Sequence, residues 1–189
     1  MANRSYAREL IEHARACAQR QTIAVRGEAL TARLIKELAR EALHAIDQLA
    51  TLDRDIELRL ARHPDAALIR SLPGMGAVLT AEFIAQAGCI ARFKSADALA
   101  AAAGLAPILK QSGKSRSLRR PLGGNKGLKR VFYQSAFASL RSHDSRAFYT
   151  RKRQEGKRHH QAVIALARRR VNVLWAMLTN RQHFVARLA

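Results

Sequence analysis

The chain has 189 residues, enough for one or two small domains with a hydrophobic core. Its hydrophobic fraction of 48% argues against general disorder, and no apolar run approaches the ~20 residues that span a bilayer. Cys17 and Cys89 lack metal-binding or CxxC spacing, and the N-terminus has no signal-peptide pattern. A cytoplasmic protein with no disulfide, metal site or membrane partner is therefore expected.

The formal net charge of +20 is unevenly distributed. Residues 1–65 carry 11 Lys/Arg and 10 Asp/Glu, whereas residues 66–189 carry 23 and 4. No acidic residue occurs between Asp97 and Asp144. This asymmetry predicts an association region followed by a polyanion-binding region, with nucleic acid favoured over anionic lipid as the partner.

The N-terminal region, residues 1–66, predicts two helices, at about residues 5–20 and 28–63, the second stopped by Pro64. The second helix has a heptad pattern that is typical of a short coiled coil or an antiparallel helical pair. A long helix packed on its own domain is the alternative. We expect homo-oligomers to form through these helices. The a positions are Ile35, Ala42, Leu49 and Ile56, and the d positions are Leu38, Ala45 and Leu52.

Residues 67–189 predict a compact all-α domain with no strand. A helix, a Pro-Gly-x-Gly turn and a second helix ending near residue 87 come first. A short helix follows, with Ser95 as its N-cap and Gly104 at its C-cap. Further helices are predicted from Gly124 or Asn125 onward, over residues 145–156 and over about residues 159–179.

The turn "LPGMGAVLTA", residues 72–81, resembles a helix-hairpin-helix. Gly74 and Gly76 would allow close backbone approach, and the next helix would present free N–H groups to a DNA phosphate. A generic helical corner with glycines for steric reasons fits equally well. A dinucleotide-binding fingerprint is disfavoured because no strand precedes the turn and the third glycine is absent.

The stretch "LAPILKQSGKSRSLRRPLGGNKGLKR", residues 105–130, places Ser112 among glycines and eight cations with no acidic residue. It is either a flexible phosphate-binding strap or the mount of a nucleophile, although a loop serine is usually a turn former. Gly113 would admit a phosphodiester, whose oxygens the cations would neutralise. ATP binding is excluded because Ile108 stands where a P-loop needs glycine. The candidate DNA-binding cations are Lys110, Lys114, Arg116, Arg119, Arg120, Lys126, Lys129 and Arg130.

The histidines and the arginine triplet of the last helix carry weaker signals. His159 and His160 point to different faces of a helix, and no Cys or carboxylate completes a metal-ligand set. Cationic or polar residues near phosphate are the favoured interpretation. Residues 168–170, all arginine, point in adjacent directions, so at least one is expected to meet nucleic acid.

Several ordered blocks together resemble the C-terminal domain of the bridge-RNA-guided serine transposases of bacterial insertion sequences. The similarity covers about residues 68–178. Its blocks are "LPGMG", "GCIARFKSADALAAAAGLAP", "QSGKS", "GGNKGLKRVFYQSA" and "FYTRKRQEGKRHHQAVIALARRRVNVLWAML". The sequence departs from that family at "QAGC", residues 86–89, where an acidic pair is common, and at residues 120–122, where a more basic stretch is usual.

The resemblance implies that Ser112 attacks DNA and forms a covalent phosphoserine, with strand exchange guided by a structured RNA. It also implies a composite site, in which magnesium is held by acidic residues of an N-terminal resolvase-like domain from another protomer. That domain is absent from these residues, so this chain alone is expected to bind DNA without cutting it. The alternatives are a non-enzymatic DNA-binding remnant or regulator and a structural RNA-binding protein.

Overall fold

The computed structural model describes residues 4–23, 25–112, 115–119 and 123–186, with backbone alone at residues 4–7, 108–112 and 115–119. The described part contains eight α-helices and one two-stranded sheet. The helices are α1 Arg4–Arg20, α2 Glu28–Ala61, α3 Ala66–Ser71, α4 Ala77–Ala87, α5 Ala96–Ala102, α6 Lys126–Ala138, α7 His143–Gln154 and α8 His159–Asn180. Short 3-10 turns occupy Ile90–Arg92 and Ser139–Arg141.

The chain divides into two compact units, residues 1–50 and 51–189. The first contains α1 and most of α2, and its described side chains are exposed throughout. As predicted, α2 begins at Glu28 and ends shortly before Pro64. No helix in the described part of the chain is long and apolar enough to cross a bilayer.

The second unit is built around α8, which packs against α5, α6 and α7. Its buried face carries Val163, Val171 and Leu174, all inaccessible to solvent. Phe83 of α4 meets Phe132 of α6 edge to face, with ring centroids 5.8 Å apart, a favoured aromatic geometry. The all-α fold class is thereby confirmed.

The predicted N-cap at Ser95 is confirmed, and Asn125, one of the two residues at which the next helix was predicted to start, is the N-cap of α6. The Ser95 side chain accepts a hydrogen bond from the Ala98 N–H at 3.1 Å, and the Asn125 side chain accepts one from the Leu128 N–H at 3.0 Å. Each cap satisfies a donor that the first helical turn leaves free. Gly104 follows α5 with φ +60°, in the left-handed region that favours glycine at a helix end.

The prediction that the domain has no strand was wrong at one place. Residues Ile108–Ser112 form β1 and residues Ser115–Arg119 form β2, paired antiparallel in the register Ile108↔Arg119 to Ser112↔Ser115. Only Gly113 and Lys114 separate the paired strands, and a two-residue connection containing glycine is a strong hairpin signal. The segment read as a loop is therefore a hairpin inserted between two helices.

Candidate nucleic-acid interface

Ser112 is the last residue of β1 and pairs with Ser115 across the hairpin. Lys110 lies in the same strand opposite Ser117, while Arg116 and Arg119 lie in β2 opposite Gln111 and Ile108. The backbone register therefore brings four of the predicted site residues onto two adjacent strands. Gly113, Lys114 and Arg120 lie outside the described residues.

Glycines close the base of the hairpin. A Cβ added to Gly104 would lie 2.6 Å from the Gly123 carbonyl oxygen, and one added to Gly124 would lie 2.6 Å from the Gly104 nitrogen. The Asn125 N–H donates to the Ala102 carbonyl at 2.6 Å. The chain segments that enter and leave the hairpin are thus held in backbone contact, which only glycine permits at this distance.

A cleft of about 1100 Å³ opens at this base, since Gly104, Leu105 and Pro107 of its rim directly precede β1. Three predicted DNA-binding cations, Lys126, Lys129 and Arg130, line it from α6. We call it the basic cleft. Its other polar lining residues are Tyr133, Glu155, Lys157, His160, Gln161 and Arg168. The sequence predicted that His160 lies near phosphate and that at least one of residues 168–170 meets nucleic acid, and it did not assign the other four.

The carboxylates of this region are largely engaged. Glu82 binds Arg130 at 2.6 Å, and Asp97 is hydrogen-bonded to Arg168. A hydrogen bond from Lys152, at 2.8 Å, lowers the pKa of Glu155. Within the described residues, by contrast, Lys126, Lys129 and Lys157 form no ion pair. These three ammonium groups are available to a polyanion, for which they supply a sequence-independent attraction.

The "QAGC" departure contributes a neutral contact to the start of α6. The Gln86 amide oxygen accepts a hydrogen bond from Asn125 Nδ2 at 2.9 Å. An added Cβ on Gly127 would lie 2.7 Å from the Gln86 side chain. Gln86 therefore packs against the first turn of α6, beside the residue that caps it.

The Gly74–Gly76 turn lies at the other end of α6 from the hairpin base. A Cβ on Gly74, which has φ +83°, would lie 2.5 Å from the Ser135 carbonyl oxygen. Ser135 lies nine residues along α6 from Lys126, or roughly 14 Å of helix axis. The structure thus gives Gly74 a packing reason. Gly76 is exposed at the N-cap of α4 with open space around it, and DNA contact by these glycines stays a prediction.

The three consecutive arginines have three different surroundings. Arg168 lines the basic cleft, while the Arg169 guanidinium lies 5.1 Å from the Phe148 ring centroid. Arg170 is buried, with 5% of its surface exposed. A pattern of adjacent cations on a helix could not distinguish these roles, because the burial of each depends on α6 and α7 packed against α8.

The fold and cleft define a small helical domain with a cationic, hairpin-bearing surface. Residues 66–152 match the family described as Transposase IS116/IS110/IS902 family. That segment is therefore similar to this transposase family, which agrees with the resemblance at that level.

Three relatives extend the similarity beyond the family match. The chain is 49% identical over 164 residues to the Insertion element IS900 uncharacterized 42 kDa protein of Mycobacterium paratuberculosis, covering 85% of this chain and 41% of that protein. It is 41% identical to the Insertion element IS116 uncharacterized 44.8 kDa protein of Streptomyces clavuligerus, covering 88% and 42%. It is 34% identical to the Mini-circle putative transposase for IS117 of Streptomyces coelicolor, covering 80% and 36%. The chain thus spans about two fifths of the length of these relatives.

Proposed function

We propose that the chain is the serine-bearing part of a DNA transposase and that Ser112 attacks a DNA phosphodiester. The observation that carries this proposal is the position of Ser112. It ends β1 at the turn of a hairpin whose base opens onto the basic cleft. The transposase-domain match over residues 66–152 and the name of the IS117 relative support DNA as the substrate. Such a protein would act in the cytoplasm, at the nucleoid.

In the proposed step the Ser112 Oγ forms a bond to phosphorus and one phosphorus–oxygen ester bond of the DNA breaks. The serine proton passes to a base, and the departing sugar oxygen takes up a proton. Cations of the hairpin would stabilise the charge that develops on the phosphate. Lys126, Lys129 and Lys157 of the basic cleft would hold the adjoining backbone.

A serine hydroxyl is a weak nucleophile without a base or a metal. Among the described residues no group of three His, Cys, Asp or Glu side chains could hold a metal ion, so magnesium does not fit this part of the chain. In this proposal the described residues supply the nucleophile and the contacts to the phosphate. It assigns the acidic magnesium site to a separate domain, supplied by another protomer.

The test is an excision assay in cells carrying the gene in its native DNA surroundings. Ser112→Ala is expected to abolish circular or excised element DNA, whereas Ser115→Ala, its cross-strand partner, should retain most of it. A denaturing gel should show a protein–DNA adduct with the wild type and none with Ser112→Ala. Excision by Ser112→Ala at the wild-type level would contradict the proposal.

The second candidate is a non-enzymatic DNA-binding regulator, which the lack of a metal cluster in the described residues favours. It predicts no adduct with any variant and equal DNA binding by wild type and Ser112→Ala. Because affinity falls with salt under both readings, binding alone cannot separate them. The adduct decides between the two.

We also propose a structured guide RNA as a partner. The proposal has its support in the resemblance to RNA-guided transposases and in a positive charge that suits RNA as well as DNA. RNA recovered by crosslinking from cells should be enriched in transcripts of the element's own flanking DNA. Recovery of bulk cellular RNA in proportion to its abundance would contradict a specific guide.

We further propose that α2 associates with a second copy of the chain. Leu38 and Leu49, d and a positions of the predicted heptad, are 64% and 60% exposed, and burying such a seam would stabilise a dimer. Light scattering should give twice the 21.0 kDa chain mass for the wild type. Leu38→Glu with Leu49→Glu should give the single mass, while Lys36→Glu, on an exposed position, should not. A monomeric wild type would contradict the proposal.

A further inference from the structure

A second cavity, of about 860 Å³, lies at the end of α6 remote from the hairpin and shares no lining residue with the basic cleft. Leu72 and Pro73 of the turn before α4 line one side. The start of α7, the face of α8 that includes Arg170, and the segment after α8 as far as Ala186 line the rest. We call it the Arg170 cavity.

Arg170 enters this cavity wall from α8 as a buried cation. Its Nε donates to the Ser135 hydroxyl at 3.1 Å, and its Nη2 donates to the same hydroxyl at 2.6 Å and to the Pro73 carbonyl. All of these partners are neutral. Within the described residues no carboxylate contacts the Arg170 guanidinium, and its Nη1 makes no hydrogen bond.

A buried cation with neutral partners is an uncompensated charge. Burial lowers the pKa of Arg170 to about 10, which reflects the cost of removing the guanidinium from water. An anion in the cavity would offset that cost, and the free Nη1 is the donor that it would meet. If Arg170 only linked α8 to α6 and to the Pro73 turn, that role would account for the hydrogen bonds of Nε and Nη2. It would leave Nη1 without a role.

The rest of the cavity wall favours an anion. Arg169, His143 and His183 line it with Arg170, and of the described wall residues only Asp144 is a carboxylate. One Asp144 carboxylate oxygen lies 3.6 Å from the His143 Nδ1. Ser145 also lines the wall, and its hydroxyl is a donor that an anion's oxygen can accept from. The Ser142 hydroxyl donates instead to the Ser139 carbonyl at 2.8 Å.

Apolar walls strengthen this electrostatic preference. Leu166, Met177 and Phe184 line the same cavity, and the Phe184 N–H donates to the Ser71 hydroxyl at 2.9 Å, which ties the C-terminal segment to α3. Charge interactions in such partly desolvated surroundings are stronger than in open water.

We propose that the Arg170 cavity binds a phosphate group, with one oxygen on Arg170 Nη1 and the remaining charge facing Arg169. The group is either a phosphate of a nucleic-acid strand or free phosphate, and both present the same oxygens to the guanidinium. The site is separate from the hairpin and from the basic cleft. It therefore does not depend on Ser112 being a nucleophile.

Calorimetric titration of the full chain with inorganic phosphate, at constant ionic strength in chloride, tests the site. The wild type should show one saturable site. Arg170→Lys should weaken it at least tenfold, because an ammonium cannot reproduce the guanidinium fork. Arg169→Gln should weaken it severalfold. Lys36→Gln, which removes a charge from an exposed position of α2, should bind phosphate like the wild type.

Circular dichroism first establishes whether each variant is folded. If Arg170→Lys is not folded, the phosphate affinity of Arg169→Gln tests the proposal instead. The proposal would be overturned if every folded cavity variant bound phosphate with wild-type affinity. It would also be overturned if Arg169→Gln lost phosphate binding while Arg170→Lys retained it in full. Absence of a saturable site in the wild type would do the same. The titration changes no residue of the hairpin or of the basic cleft, so failure of this site and failure of the serine mechanism give different results.

The same variants identify the source of the phosphate. If the natural ligand is a nucleic-acid strand, both cavity variants should also weaken binding of a short 5′-phosphorylated oligonucleotide, and inorganic phosphate should compete with it. If it is free phosphate, the oligonucleotide should bind the wild type and the cavity variants equally while phosphate binding falls.

Discussion

At the scale of single residues, Thr80 is the clearest case of a side chain that lowers the stability of the fold. It is fully buried in α4, and its hydroxyl has no hydrogen-bond partner among the described residues. A buried hydroxyl without a partner loses its water without compensation, at a cost of about 1–3 kcal/mol. We therefore expect Thr80→Val, which keeps the branched shape, to raise the free energy of unfolding by about 1 kcal/mol, measured by urea denaturation.

Thr80→Ser provides the matched control because it keeps the hydroxyl and removes only a methyl group. It should lower the free energy of unfolding by about 1 kcal/mol. Should Thr80→Val prove the less stable of the two, the hydroxyl must be bonded in the folded protein.

The two glycines of the Pro-Gly-x-Gly turn should differ in the same kind of measurement. Gly74 has φ +83°, and its built Cβ meets the α6 backbone at 2.5 Å, so Gly74→Ala should lose about 2 kcal/mol or more of unfolding free energy. Gly76 has φ −77° and open surroundings. Gly76→Ser, a good N-cap, should change it by less than about 0.5 kcal/mol. Equal losses would show that Gly74 is not held by packing.

At the scale of elements, the glycine contact at the hairpin base connects α5 to α6. Gly124 has φ +104°, and its built Cβ lies 2.6 Å from the Gly104 nitrogen. Gly124→Ala should therefore separate the two segments and cost about 2 kcal/mol or more. Hydrogen exchange at the Asn125 amide, which donates to Ala102, should accelerate in proportion.

Gly123→Ala is the neighbouring control. An added Cβ there meets nothing within 4 Å, so stability and Asn125 exchange should stay near the wild-type values. If the two substitutions behave alike, the hairpin base does not depend on the close approach of Gly104 and Gly124.

The sequence predicted the features that depend on residues close together in the chain and missed those that depend on distant residues. The Ser95 cap, the start of α6 near Asn125 and the end of α2 before Pro64 depend on nearby residues, so the sequence pattern predicted them. The hairpin was missed because its strands are short and lack a clear apolar alternation, which left the two-residue connection as the signal. Lys157, in the connection between α7 and α8, lines the same basic cleft as Lys126 of α6, and no local pattern encodes that proximity.

Arg170 shows the same limit for a candidate ligand site. In sequence it is one of three adjacent helical cations, a pattern usual for a solvated face. Its burial depends on Ser135, which lies 35 residues earlier on α6. Sequence reasoning therefore assigned nucleic-acid contact to at least one of the three arginines without separating the cleft residue Arg168 from the buried Arg170.

At the scale of the whole molecule, the charge follows the division into units. Residues 1–50 carry 8 Lys/Arg and 6 Asp/Glu, and residues 51–189 carry 26 and 8. Five of those eight carboxylates, at Glu57, Asp65, Glu82, Asp97 and Glu155, pair with arginines within the second unit. Acidic side chains there thus support the fold, and a large cationic excess is left for a polyanion.

This excess predicts the salt dependence of DNA binding. Each phosphate neutralised by a cation makes log K fall with log salt by a further ~0.9. We expect Lys129→Gln, in the basic cleft, to reduce the magnitude of that slope by about 1 and to weaken binding similarly on unrelated DNA sequences. Lys36→Gln removes the same charge from an exposed position of α2 and should leave the slope unchanged. Fluorescence anisotropy on a labelled duplex from 50 to 200 mM salt, a range in which such contacts change affinity by orders of magnitude, measures both. An equal change in the two variants would show that net charge alone, rather than the basic cleft, holds the DNA.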